Sequence, residues 1–520
     1  MSKFGKLLGY DPIEKQTNLK TEIIAGIVTF LAMCYILTVN PNSILYAGVF
    51  DGRWSSLFIA TALGAIIGTL LMAFLAKMPL AQASGMGLNS LVGSIIGGGV
   101  GAFAYGFEFT IGQAFMMVLI SGVIFLLLSV IAVNGKSFRE LIFDGMPVAV
   151  RGAISVGIGL FIAYIGFQNA GIIVTNGYTQ VALVDFTKWG DQTVNYLSAT
   201  GTWAAAKTAC VALIGLFLIA ILDKFNVKGS VIIGILGATI VGIPFGVTTF
   251  DALLGKVDGI SWKFWENYAN FFSVSETSVF GSFASVFTEG FPAGSIFTVI
   301  MLIITMCMID MFDTMGTIVG CCGGNRILSD ENNKPHNYDK IMISDSIATC
   351  TGAMLGTSTV TTFVESGAGV SAGGRTGVTA LVVAIMFLLA TFALPLFATI
   401  PSAATASALI YVGVLMMKNN VKAIDFSDSI NAVSAFLTIV VMILSYSITK
   451  GIGIGMITYT VLSIISYVIS IIVYACKKDK TTVNEAGETV AIEKPKFPVS
   501  IVAIIVTVLF LVYFFVPTVL

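Results

Sequence analysis

Long apolar runs separated by short polar ones dominate the chain, and roughly 20 apolar residues suffice to cross a bilayer as a helix. Such runs lie at 22–40, 55–76, 112–133, 148–172, 203–222, 229–246, 296–320, 340–356, 376–399, 402–417, 429–448, 451–475 and 497–518. Two further stretches, 84–98 and 362–373, are apolar but short and rich in Gly, Ser and Thr. With their lead-ins they read "AQASGMGLNSLVGSIIGGG" (81–99) and "GTSTVTTFVESGAGVSAGG" (356–374), each opening on a polar or β-branched run before its helical part. Gly85 and Thr362 are 277 residues apart, close to the 274 between the apolar runs that start at 22 and 296. Short, glycine-interrupted segments at matching places in two halves point to an inverted-repeat transporter with its site at the interruptions. Small residues placed for close helix packing are the alternative, and the matched pair favours the transporter. The pattern predicts an all-α polytopic membrane protein of about fifteen segments.

Composition agrees: 56% of the residues are hydrophobic, 11% are charged, and the mean hydropathy is +0.95, whereas soluble domains carry about a quarter charged residues. A net charge of −1 gives no reason to expect nucleic acid. Basic residues set the orientation. They cluster at Lys3, Lys6, Lys15 and Lys20; at Lys77; at Lys136, Arg139 and Arg151; and at Lys224 and Lys228. Others follow at Arg326, Lys334 and Lys340, at Arg375, at Lys418 and Lys422, and at Lys477, Lys478 and Lys480. If both short stretches cross, every cluster follows an even-numbered segment. That places residues 1–21 in the cytoplasm and the loops 41–54, 99–111, 173–202 and 247–295 outside. The run ending at 475 is then a fourteenth crossing, and 497–518 is either a fifteenth or a sign that an earlier segment is re-entrant. The polar stretch 477–496 is expected to be a mobile cytoplasmic linker. The N-terminus lacks the apolar core and cleavage site of a secretory signal. The seven cysteines show no metal-ligand spacing and read as packing thiols.

An ionisable residue at mid-bilayer costs at least about 2.5 kcal/mol and marks a functional site by default. Four stand out, Asp310, Asp313, Asp345 and Glu365, with no lysine or arginine read at similar depth. Carboxylates without cationic partners hold a proton or meet a bound cation or ligand. The proton is therefore the expected coupling ion, with sodium as the alternative. Asp310 and Asp313 share roughly one helix face, which Thr317 continues; Asp310 reads as a structural acid and Asp313 as a ligand. Asp345, early in its run, is placed where a helix dipole favours a carboxylate. Glu365 opens the second short helix, beside unpaired N–H groups and a partial positive charge. That mixture of acceptor and donors suits a flat heterocycle carrying N–H and C=O groups, and Phe363 offers it a stacking face. In the first short stretch Asn89, after "GMG", either caps its helix or offers an amide that donates and accepts. His336, the single histidine, lies in the polar loop "ENNKPHNYDK" and reads as solvated. No nucleophile–base pair, metal cluster, Walker loop or dinucleotide fingerprint has a supporting context, so neither an enzyme nor a cofactor or metal is expected.

The segments "TEIIAGIVTFLAMCYILTVNP", "GMGLNS", "DMFDTMGTIVG" and "GTSTVTTFVESGAGVSAGGRTG" resemble the purine permeases of the nucleobase–cation symporter-2 family. The similarity is to the adenine, guanine and hypoxanthine branch, related to fungal azaguanine-sensitivity transporters, and runs in order over about 5–475. It implies fourteen transmembrane helices as two inverted seven-helix repeats. A core domain (22–133 and 296–399) then moves against a gate domain (147–246 and 402–475). Residues 247–295 are expected as an extracellular loop, and 477–520 as a cytoplasmic linker with a terminal hydrophobic segment. The resemblance also implies a multi-pass protein of the cytoplasmic membrane, forming dimers and importing guanine or hypoxanthine with protons in an elevator-like motion. Adenine and xanthine are further candidate substrates. In that family a helix 8 acid and a glutamate opening half-helix 10 hold the base. Those positions correspond here to Asp313 in "FDTMGT" and Glu365 in "FVES", which also become the proton-coupling candidates. Asn89 matches the asparagine of the helix 3 motif, beside Gly87, while Asp310 and Asp345 are secondary candidates. Two departures, Ser84 for the usual proline and Leu91 for an aromatic, bear on substrate ranking more than on class. The alternative is an inorganic-anion or other small-solute transporter of the same fold. Paired half-helix N-termini suit an anion, but Glu365 beside them repels one. A channel or a membrane enzyme is a further alternative.

Overall fold

The first long helix begins where Asn18 accepts a hydrogen bond from the Thr21 N–H, supplying one of the partners that a helix start lacks. In this computed structural model all residues are described except 1–2, 46–51, 97–108, 134–135, 138, 140–144, 177–179, 188–192, 195–201, 204, 228, 258, 274–278, 281–285, 288–289, 293, 323–324, 330–334, 477–480, 484–488, 492–494 and 516–520. Helix α1 (Leu19–Met33) breaks at Cys34–Tyr35 and resumes as α2 (Ile36–Ile44). At the break the backbone tightens to i→i+3 bonds, Leu37 to Cys34 and Thr38 to Tyr35. Pro41 inside α2 has no N–H to offer back to Leu37.

Every apolar run predicted from the sequence is helical. In order these are α3 (Gly52–Leu71), α5 (Ile111–Val130), α6 (Val148–Asn169), α7 (Ala205–Lys224), α8 (Ser230–Gly242), α9 (Ile296–Cys322) and α10 (Tyr338–Leu355). Then come α12 (Gly377–Ala390), α13 (Ser402–Asn420), α14 (Ser429–Leu444), α15 (Ile448–Cys476) and α16 (Ile501–Phe515). Among the described residues eight helices are long and apolar enough to cross a membrane, counting α1 and α2 as one. The stretch 247–295 is not bare loop, for Phe264–Phe272 is helical and buries Asn267 and Phe271. Most of 477–496 lies outside the described residues, but Thr481–Val483 and Thr489–Ala491 pair as antiparallel strands.

The two short stretches fold as strand then helix: β1 (Gln82–Ser84) leads into α4 (Met86–Ile95), and β2 (Val360–Thr362) leads into α11 (Ser366–Ser371). Val360, Thr361 and Thr362 are β-branched and favour this extended lead-in. Extended backbone buried among apolar helices must still satisfy its N–H and C=O groups, and each strand finds its partner in the other. They pair antiparallel, Gln82 opposite Thr362 and Ser84 opposite Val360. Gly85 N–H to the Thr359 carbonyl (2.8 Å) and Phe363 N–H to the Ala81 carbonyl (3.0 Å) extend the ladder.

Both half-helices lean on the broken first helix through a glycine. A Cβ on Gly93 in α4 would run into the Ser43 carbonyl oxygen, and one on Gly369 in α11 would run into Thr29 Oγ1. Because Gly93 meets backbone, Gly93→Ala is expected to cost about 1–3 kcal/mol through overpacking. A thermal unfolding scan in detergent checks this, and an unchanged midpoint refutes it.

The helices pack as two groups. In one, α12 lies against α1 and α3, α10 against α3 and α5, and α9 against α5. In the other, α6 lies against α13 and α14, α14 against α15, and α7 against α8 and α13. Helix α16 packs on α15, with Thr507 and Thr460 hydroxyls 2.7 Å apart and the Phe510 and Phe514 rings against Gly453.

Candidate functional site

Glu365 sits one residue before α11, and the break in the first helix meets it there: the Tyr35 hydroxyl donates to Glu365 Oε1 at 2.5 Å. The sequence expects free N–H groups beside Glu365, and the structure corrects this. The amides of Ser366, Gly367 and Ala368 are taken by the carbonyls of Phe363, Val364 and Glu365 (2.9–3.1 Å). Helix α11 has only six residues, so the group that fixes the glutamate is Tyr35 rather than a long helix dipole. Glu365 lines a cavity of about 460 Å³, within the usual range of small-molecule pockets, about 300–1,000 Å³. Ala32, Gly367, Ala368 and Ser371 are part of the wall on its own side, and Asp223, Asn226 and Tyr411 come from the second helix group. Tyr411 and Asp223 face each other across this wall.

Helix α9 carries both aspartates of "IDMFDTMG", and they differ. Asp310 is fully buried, and its Oδ2 accepts from the Thr349 hydroxyl of α10 at 3.0 Å. Asp313 is partly exposed and has no hydrogen-bond partner among the described residues; Glu365 and Asp345 are its charged neighbours. Asp313 does not line the cavity at Glu365, and Thr317 is mostly buried one turn further along α9. Phe363 is largely buried at the end of the strand ladder, 6% exposed, leaving little of its ring open for stacking. Asn89 is spent on the scaffold: its side-chain oxygen accepts from the Ser84 hydroxyl (2.9 Å) and from Ser358, and its amide reaches the Ser84 carbonyl. Gly87 is where α4 approaches α6, since a Cβ there would meet Ile158 at 2.8 Å. Of the ligands expected from the sequence Glu365 lines this cavity, and Asn89, Gly87, Phe363, Asp313 and Thr317 do not.

Two expectations about charge are overturned. Asp345 is not near a helix start: α10 begins at Tyr338 with Asp339 in its first turn, and Asp345 is fully buried in mid-helix. Its carboxylate accepts from Thr314 (2.8 Å), Gln82 (3.1 Å) and Thr362 (3.4 Å), which ties α9, β1 and β2 together. Nor are the carboxylates without a cation. Arg139, read from the sequence as a cytoplasmic charge, is fully buried, with its guanidinium 3.7 Å from Asp345 Oδ2 and 3.6 Å above the Phe125 ring. Glu22 is another buried acid that the sequence reading passes over. It accepts from the Arg375 N–H (3.0 Å), the Thr379 N–H (3.2 Å) and the Thr379 hydroxyl (2.5 Å), capping α12. His336 is exposed, as its polar loop implies.

Interrupted segments meeting at buried carboxylates among apolar helices define a helical membrane transporter, and solved structures share this fold. The chain is similar to the transmembrane domain of a cyanobacterial bicarbonate transporter, BicA, with a TM-score of 0.55 and 16% identity, over 82% of this chain and 97% of that one. It is also similar to SLC26A9, with a TM-score of 0.51 and 11% identity, over 96% and 73%. The chain belongs to the nucleobase–cation symporter-2 family: residues 20–454 match the model of that permease family, named for xanthine and uracil. It is 34% identical over 451 residues to the adenine permease AdeP of Escherichia coli, covering 87% of this chain and 88% of that one. It is 34% identical over 451 residues to the guanine/hypoxanthine permease PbuO of Bacillus subtilis, covering 86% and 92%. It is a permease and not an enzyme.

Proposed function

We propose that this permease imports purine nucleobases, guanine and hypoxanthine first, together with protons, across the cytoplasmic membrane. The observation that carries this reading is Glu365, held by Tyr35 and opening into a cavity that both helix groups line. A carboxylate there accepts from a ring N–H or exocyclic NH₂, and Asp313, which has Glu365 as a charged neighbour, is the candidate to share the base or its proton. The names of the relatives, adenine and guanine/hypoxanthine permeases, support the same class. Buried acids outnumber the one buried arginine beside them, so a proton remains the natural partner of the base.

The two helix groups correspond to the core (22–133 and 296–399) and the gate (147–246 and 402–475) of an elevator-like carrier. A base bound at Glu365 touches both, so sliding one group against the other opens or closes its path. Asp223 and Asn226 adjoin the Lys224–Lys228 cluster that the positive-inside rule puts in the cytoplasm, which makes this cavity the inward-open one. Competition of labelled hypoxanthine uptake by adenine, guanine, xanthine, uracil and sulfate tests the class. Guanine is expected to compete and sulfate not to. Competition by sulfate alone would instead support the anion-transporter reading. A protonophore is expected to collapse uptake, and uptake that follows a sodium gradient would overturn proton coupling.

A further inference from the structure

A second buried charge cluster lies beside the substrate site, away from the cavity at Glu365. Asp345 is well supplied, with Thr314, Gln82 and Thr362 as donors and Arg139 as its ion-pair partner. Asp310 is not. It has one donor, Thr349, and its buried Oδ1 has no hydrogen-bond partner among the described residues. The charged or titratable groups facing Asp310 are Asp313 and Cys307 on its own helix, Asp345 and Cys350 on α10, and Arg139 from the segment between α5 and α6. Tyr338 of α10 faces Arg139 in turn.

With both carboxylates ionised, two negative charges share one guanidinium in an interior without solvent, and an uncompensated buried charge is strongly unfavourable. Asp345 has the donors to stay ionised. A proton on the bare Oδ1 of Asp310 removes the surplus charge at the one oxygen that lacks a donor. Asp313 lies three residues from Asp310 on the same helix and has both Glu365 and Asp345 as charged neighbours, which makes it the candidate link between the substrate carboxylate and this oxygen. We propose that Asp310 is a second proton site, reached from Glu365 through Asp313, with the Arg139–Asp345 pair as its fixed counter-charges. Arg139 is a positioning residue here. It lies in the chain segment joining the two helix groups and is anchored to the first of them by Asp345 and Phe125. The proposal rests on the proton-coupled reading above and adds where the proton is held.

Asp310→Asn, which mimics the protonated acid in shape and charge, tests it in proteoliposomes. Expected are labelled-hypoxanthine exchange within about threefold of the unsubstituted protein and a loss of concentrative uptake of at least about tenfold. Arg139→Gln is expected to behave alike, and Arg139→Lys to restore uptake at least in part. Concentrative uptake by Asp310→Asn with an unchanged pH profile overturns the proposal, and so does loss of exchange together with uptake in a folded protein. If Asp310→Asn does not reach the membrane, Thr349→Val removes the single donor to the carboxylate and leaves the acid in place. An acid whose anion is less stabilised binds its proton up to a higher pH, so the alkaline limb of uptake should move up by about one unit; an unmoved limb overturns the proposal. Failure of the proton-coupled reading itself looks different, because the unsubstituted protein would then ignore a protonophore.

Discussion

Glu365→Gln is expected to abolish purine uptake and to leave the protein folded in the membrane. The substitution keeps the side chain's size and an oxygen for the Tyr35 hydroxyl, so the contact between the broken first helix and the segment before α11 survives. What goes is the negative charge. Hydrogen bonds to a charged group contribute about 1.5–3 kcal/mol against about 1 for a neutral pair, and a base facing the amide also meets an NH₂ where it needs an acceptor. Together these are expected to remove about 3 kcal/mol of binding, or about two decades in affinity. Uptake of labelled hypoxanthine by cells without their own purine uptake, with size-exclusion profiles of the detergent-extracted protein as the folding control, measures this directly. Wild-type uptake would remove Glu365 from the site. Anion carriage predicts the opposite sign, since loss of a repelling carboxylate would then raise transport.

The membrane segments and the two interrupted stretches were legible because each is a local property of composition. An apolar run of helical length declares itself, and so does a β-branched, polar lead-in such as "GTSTVTT". That the two stretches must meet also follows from local facts, since buried extended backbone needs a partner. What stayed hidden depends on residues far apart in the chain. Arg139 stands among charges that read as a surface loop, and only tertiary structure brings it to Asp345. Asn89 reads as a helix cap or as an amide open to a ligand until Ser358, from the other half, arrives on its oxygen. Tyr35 gave no signal because the break it marks holds neither glycine nor proline at 34 or 35. Glu22 sat at the edge of an apolar run, where its role as a cap for a distant helix has no local signature. Asp345 was misread for a different reason: with its helix starting at Tyr338, two turns precede the carboxylate, beyond the reach of the helix start.

Asp313→Asn is expected to separate the two aspartates that the sequence sets three residues apart. Asp310 is enclosed and bonded to Thr349, whereas Asp313 is partly exposed and has Glu365 as a charged neighbour. Loss of the Asp313 carboxylate takes away an acceptor on the substrate side, and with it the acid that links Glu365 to Asp310. Both exchange and concentrative uptake should then fall by at least about tenfold, the equivalent of one charge-assisted hydrogen bond. Asp310→Asn, in contrast, keeps exchange. The pair is decisive when measured side by side as equilibrium exchange and as uphill uptake in the same vesicles. If Asp310→Asn loses exchange and Asp313→Asn keeps it, the substrate-facing acid of α9 is Asp310, and the relay runs in the other order. If both keep exchange, the base is held from Glu365 and the second helix group alone, and Asp223 with Tyr411 becomes the place to look for its remaining contacts.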